Sequence, residues 1–205
     1  FSDTEVSLTA SFGAWKVEKT FTIGKAYQLS ASVRVSNTST DTLAEAPFYL
    51  VTGTAHEPIA TNRMMGLGYG TMWYDGEEET AVGPGWFDNY RMGCACFGSA
   101  GARNNYQAGA GTVRWIGGYS RFFIQAVIPE EAAHSVNINR FRMDSLTPEQ
   151  AQELGINVTD NQDAFETSIQ VKIPSLPPNG VQQYNYTLYT GPREYDRLTA
   201  IGKKH

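Results

Sequence analysis

Tyr27, Leu29, Ala31, Val33 and Val35 fall on every second position of one nine-residue run, with polar or small residues between them. That period of two is the signature of a strand with one face buried, and no helix can hold such a run on one side. The same alternation recurs along the chain. Val6, Leu8, Ala10 and Phe12 form an earlier run over residues 4–12, and Gly13-Ala14 turns the chain into Trp15, Val17, Phe21 and Ile23. Gly24-Lys25 and the cluster 37–41 punctuate the third strand at either end, so the first forty residues predict an antiparallel meander.

Further strands are predicted at 47–52, 112–116, 121–128, 135–143, 169–173 and 182–190. The run 121–128 is apolar on both faces: Phe122, Ala126 and Ile128 on one side, Phe123 and Val127 with Gln125 on the other. A strand of that kind lies between layers. Trp115, Tyr119, Phe122 and Phe123 are therefore expected to mark the structural centre, with Phe122→Ala or Phe123→Ala lowering the melting temperature sharply. Residues 66–118 hold most of the glycines together with Trp73, Trp86, Tyr90 and Tyr106. That mixture reads as long loops pinned by aromatic anchors.

Two helices are expected. Thr147-Pro148-Glu149-Gln150 combines an N-cap, a proline in the first turn and a capping-box glutamine, and Leu154-Gly155 ends the segment. Gly191-Pro192 is read as the opening of a terminal helix over 192–201, with Tyr195, Leu198 and Ile201 on one side and Gly202 as its stop. The sum is one antiparallel, mainly β sandwich domain spanning 1–205, with short helices at its C-terminal end.

Composition excludes several function classes. Sixteen Lys+Arg against twenty-one Asp+Glu give a net charge of −5, which disfavours a nucleic-acid partner. The longest apolar stretch, Phe122–Ile128, is seven residues long and interrupted by Gln125, far short of a spanning helix. The N-terminus lacks the basic and apolar regions of a signal peptide, as expected of a mature domain or one cut from a longer protein.

Catalytic signals are sparse. The histidines are His56, His134 and His205. Glu130 and His134 would sit one helical turn apart on a helix but lack the second histidine and third ligand of a zinc motif, so a solvated loop is the better reading. The sequence contains no Gly-x-Ser-x-Gly elbow and no phosphate-loop or dinucleotide glycine pattern. Asp75-Gly76-Glu77-Glu78-Glu79 lacks the alternating ligands of a calcium loop and reads as a hairpin tip. Cys94 and Cys96 are the two thiols; on one strand they would share a face at the limit of disulfide reach, and their redox state stays open. No enzyme activity, cofactor or metal is expected. A carbohydrate-binding module, stacking sugars on Trp73 or Trp86, is the rival reading.

Three separated stretches resemble the periplasmic domain of the YidC family of membrane protein insertases (the YidC/Oxa/Alb family). They are Lys19–Tyr27 leading into the strand that ends Val35-Ser36-Asn37; Trp115-Ile-Gly-Gly-Tyr119-Ser-Arg-Phe122-Phe123 through Ile128-Pro129; and Tyr189-Thr-Gly191-Pro192-Arg193-Glu194-Tyr195-Asp-Arg197-Leu198. The family's domain opens with earlier strands carrying a Thr-x-Gly-Gly turn, which this chain lacks, and the glycine-rich middle matches nothing in the pattern.

The resemblance implies a β-supersandwich similar to galactose-mutarotase-like domains, placed on the periplasmic side of the bacterial inner membrane. It implies an accessory and interaction module, without catalytic residues, of an insertase and chaperone that folds membrane proteins alone or with the Sec translocon. Its implied partners are the membrane part of the same protein, nascent membrane proteins, and Sec subunits such as SecDF and SecYEG. The C-terminal helix would lead toward the membrane part, with Arg193, Glu194, Tyr195, Arg197 and Leu198 as contact residues. Trp115, Tyr119, Phe122, Phe123, Pro129, Gly191 and Pro192 would be its structural motif.

Overall fold

A computed structural model describes residues 4–56, 68–89, 101–143, 147–153 and 163–194. Among the described residues twelve strands form two antiparallel sheets. In chain order they are β1 (Glu5–Phe12), β2 (Trp15–Ile23), β3 (Gln28–Asn37), β4 (Ala46–His56), β5 (Gly70–Tyr74), β6 (Glu79–Val82), β7 (Asn105–Ala108), β8 (Trp115–Tyr119), β9 (Phe123–Pro129), β10 (Ser135–Arg142), β11 (Asp163–Ile173) and β12 (Val181–Pro192). Two short helices, α1 (Pro84–Asp88) and α2 (Pro148–Glu153), complete the described elements. The larger sheet has eight strands in the order β1-β2-β3-β12-β9-β8-β5-β6, and the smaller has four in the order β4-β11-β10-β7. This is the mainly β sandwich that the alternating runs predict.

The meander β1-β2-β3 pairs in register, Val17 opposite both Ala10 and Val35. Val17, Ala31, Val33 and Val35 of β2 and β3 then face the smaller sheet and join Val127, Ile138, Phe165 and Ile169 in the core. The half-buried reading of β1 needs correction. The strand is exposed along its whole length, Val6, Leu8 and Phe12 included, because it is the edge of an eight-stranded sheet packed on one of four strands. Asn37 ends β3 and is itself buried. Its side-chain amide faces the carbonyls of Asp41, Leu176 and Pro177 at 2.7, 3.0 and 3.1 Å, while its Oδ1 accepts from Ser39 N–H and Ser39 Oγ. A buried polar side chain with every group engaged costs little and fixes one geometry. It ties the turn after β3 to the crossover before β12.

A second apolar cluster lies on the opposite face of the eight-stranded sheet. Trp115, Ile124, Ala126, Ile128 and Tyr189 form it together with Met72. β9 is thus apolar on both faces, with Val127 in one cluster and Ile124, Ala126 and Ile128 in the other.

The expectation for the aromatic pair needs correction. Phe122 is 64% and Phe123 60% exposed, so neither is at the structural centre. Trp115 is buried but in the second cluster, and Tyr119 is only half-buried; of this stretch it is Ile116 and Val127 that enter the core between the sheets. The reason is position along the strand. Phe122 lies in the tight turn closed by Ser120 N–H donating to the Phe123 carbonyl at 2.8 Å, and Phe123 is the first residue of β9, so both stand at the sheet end. Alternation reports which face a residue takes, not whether a neighbouring layer reaches that far.

The glycine-rich middle also differs from its loop reading. Residues 70–74 and 79–82 are a β-hairpin on the edge of the large sheet, and β7 pairs with β10 in the small one. Asp75 shapes the hairpin tip by accepting from the N–H groups of Glu77 and Glu78, and these two bonds hold its carboxyl below the ordinary value. The capping box before α2 is present: Thr147 N–H donates to Gln150 Oε1 at 2.9 Å and Gln150 N–H to Thr147 Oγ1 at 3.3 Å. Gly191 and Pro192, by contrast, are the last two residues of β12, paired with Ile124 and Phe123, rather than a helix start. Proline fits a strand end because its missing N–H removes one ladder bond only. Residues 195–201, the rest of the expected terminal helix, lie outside the described residues, as do Tyr90, Cys94, Cys96 and His205.

Candidate interaction surface

Strands β8, β9 and β12 are consecutive neighbours in the large sheet, and they bring together the motif residues that the sequence separates by up to 77 positions, Trp115 to Pro192. Trp115 is buried at the start of β8, and Tyr119 at its end is half-buried. Pro129 closes β9 opposite Tyr186. Gly191 has a steric requirement: a Cβ there would stand 2.8 Å from the Tyr27 Cβ and Cγ and 2.9 Å from Tyr189 Oη. The bare backbone lets Tyr27 and Tyr189 meet edge to face with ring centroids 6.4 Å apart. Tyr189 Oη also donates to the Pro192 carbonyl at 2.8 Å.

Arg193 and Glu194 follow at the exposed end of β12. The Arg193 N–H donates to the Phe122 carbonyl at 2.8 Å, and its guanidinium lies 4.2 Å over the Tyr119 ring. Arg121 sits 5.0 Å over the ring of Phe122. The structure therefore joins the second and third sequence stretches at one sheet end. Tyr195, Arg197 and Leu198 lie outside the described residues.

A cleft of about 320 Å³ opens elsewhere, between the two sheets. Val33, Leu50 and Ile169 line its apolar part, and Glu130, His134 and Lys172 also border it. Phe48 and Tyr184 stack beside it at 6.2 Å and 16°, with the Tyr184 hydroxyl donating to the Lys172 carbonyl. Burial raises the pKa of the Tyr184 hydroxyl, helped by the negative charge of Glu131, and burial alone raises that of Tyr186. Both phenols stay protonated beyond the ordinary tyrosine value of 10.0. Glu130 and His134 are in the β9–β10 connection, not on a helix, as the loop reading expects. The sequence carries no signal for this cleft, since its walls come from five separated strands and two connections.

The tryptophans named for sugar stacking are engaged by the protein. Trp73 is buried and its Nε1–H donates to Tyr106 Oη at 3.1 Å. Trp86 meets Phe87 and Tyr106 edge to face, and the Arg103 guanidinium covers its ring at 4.5 Å. Among the described residues there is no group of three or more His, Cys, Asp or Glu side chains placed to hold a metal ion.

A two-sheet antiparallel sandwich with few helices places the chain in the class of mainly β, β-sandwich domains. The family model for the YidC periplasmic domain matches residues 2–204, and the chain belongs to that family. It is accordingly a periplasmic domain of a YidC-type insertase, located on the periplasmic side of an inner-membrane protein. None of the curated proteins matches the chain. Among solved structures, a TPR-domain containing protein from Parabacteroides distasonis is similar at 10% identity and a TM-score of 0.44, over 91% of this chain and 32% of that one. The chain spans about a third of that protein's length. Among the described residues no helix is long and apolar enough to cross a membrane.

Proposed function

We propose that the domain is a non-catalytic accessory module of its insertase, serving the insertion and folding of inner-membrane proteins alone or beside the Sec translocon. The observation that carries this reading is the family match over residues 2–204. The work of the domain is contact rather than chemistry, and its contact segment begins where β12 ends. Arg193 and Glu194 are exposed there, and Tyr195, Arg197 and Leu198 follow in the sequence. In this reading they meet the membrane part of the same protein, a translocon subunit or a nascent membrane protein. Tyr195, Leu198 and Ile201 recur every three residues, the spacing of a narrow apolar stripe that docks.

The test is Leu198→Asp in the full-length protein. Insertion of a reporter membrane protein in cells should fall more than with a charge reversal at an exposed strand position such as Glu79→Lys. Equal insertion by the two variants would remove the C-terminal segment from the mechanism.

A further inference from the structure

One end of the large sheet carries a concentration of exposed apolar side chains and cations that folding does not require. The turn Gly24–Tyr27, the turn Ser120–Phe122 and the end of β12 are adjacent there: Thr190 N–H donates to the Tyr27 carbonyl at 2.9 Å and Arg193 N–H to that of Phe122 at 2.8 Å. Ile23, Tyr27, Phe122 and Phe123 are 63, 52, 64 and 60% exposed. Large apolar side chains gathered at one exposed place mark a contact surface more often than chance. Lys25, Arg121 and Arg193 stand exposed among them, in a chain whose net charge is −5. Among the described residues, the two guanidiniums lie on aromatic rings and not on carboxylates. Glu194, and Glu5 beside the Ile23 end of β2, are acidic neighbours.

We propose that this rim inserts into the headgroup layer of an anionic lipid bilayer. Aromatic and aliphatic tips with arginine and lysine beside them match the two halves of that interface. The rings enter the acyl boundary, while the cations stay at phosphate depth on their flexible stems. Anionic lipid adds a charge attraction that only a locally positive surface can use. A second copy of the chain fits the patch poorly, because a two-fold contact of this rim would bring Lys25, Arg121 and Arg193 against their own counterparts. The family places the domain beside a membrane, so the bilayer is within reach. This contact shares Arg193 with the segment of the proposed function, but its other residues and its vesicle test do not depend on residues 195–201.

The experiment is sedimentation of the 205-residue chain with vesicles of phosphatidylglycerol and phosphatidylcholine, against vesicles of phosphatidylcholine alone. The chain should bind the anionic vesicles. Phe122→Ser with Phe123→Ser should cut partitioning roughly tenfold or more while the far-ultraviolet spectrum stays native. Arg121→Gln with Arg193→Gln should abolish the preference for the anionic lipid. Phe122→Trp supplies an independent reading, since the emission added by the new indole should move to shorter wavelength on vesicle addition. Any of these results would overturn the proposal: no binding by the wild-type chain, unchanged partitioning of a folded double serine variant, or a wild-type dimer that this variant dissolves. An unshifted indole emission would do so too.

Discussion

Phe165→Ala is expected to destabilise the domain by about 3–5 kcal/mol, the usual cost of deleting a fully buried phenylalanine. Phe165 sits on β11 with no solvent exposure, 4.8 Å from the Phe87 ring and 5.8 Å from that of Tyr69. Its ring lies where α1 meets the small sheet, and none of these neighbours is free to collapse without losing its own contacts. For a chain of this length each kcal/mol moves the melting temperature by about 2–4 °C, so the midpoint should drop by roughly 10 °C. Phe123→Ala removes the same atoms from a side chain that is 60% exposed, and should stay within about 0.5 kcal/mol of wild type. Urea unfolding of both variants reads the contrast. Equal losses would mean that Phe123 is buried in solution and that the described sheet end is wrong.

Gly117→Ala is the second large effect, and it comes from adding one carbon. Gly117 lies in β8 opposite Ala126 of β9. A Cβ there would stand 2.7 Å from the Gln125 carbonyl oxygen and 3.1 Å from the Ala126 Cα. Both obstacles are backbone of a central strand, so relief requires moving β9 away from β8 and weakening their ladder. Overpacking of this sort costs about 1–3 kcal/mol, and the backbone origin of the clash puts this case at the upper end. The next residue is a control within the same dipeptide. At Gly118 the new Cβ would meet the Ala55 Cβ at 3.2 Å, across the gap between the sheets. A few tenths of an ångström of adjustment accommodates it, and alanine gains back some backbone entropy, so Gly118→Ala should cost under about 1 kcal/mol. Comparing the two melting curves decides whether β8 and β9 pair in the register described.

The strand around Val33 was legible because Ala31, Val33, Val35 and Asn37 are buried on one face, so burial and period two agree. The α2 cap was legible because Thr147 and Gln150 satisfy each other's backbone locally, with no help from the rest of the fold. Phe122 and Phe123 were misplaced for the opposite reason. Their apolar character suggests a core, yet the small sheet does not extend over that end. Gly191 and Pro192 resemble a helix start, but the long-range pairing with Ile124 and Phe123 claims them for β12. In the middle of the chain, Gly70 through Val82 lacks strong strand formers at several positions, and pairing with β8 holds the hairpin where local preference does not. Of the surface at the sheet end, the residues were legible as separate motifs. Their meeting was not, because it depends on the strand order β12-β9-β8.

The central claim is that this is a contact domain of a membrane insertase, acting through the end of β12 and the segment after it. Photo-crosslinking tests it most directly, with a photoreactive amino acid at position 193 of the full-length protein in living cells. The account predicts adducts with components of the inner membrane: the membrane part of the same protein, a translocon subunit or a nascent membrane protein. The same probe at position 9, on the exposed strand β1, should give none of these. Adducts from position 193 only with soluble periplasmic proteins, or the same adducts from both positions, would contradict it.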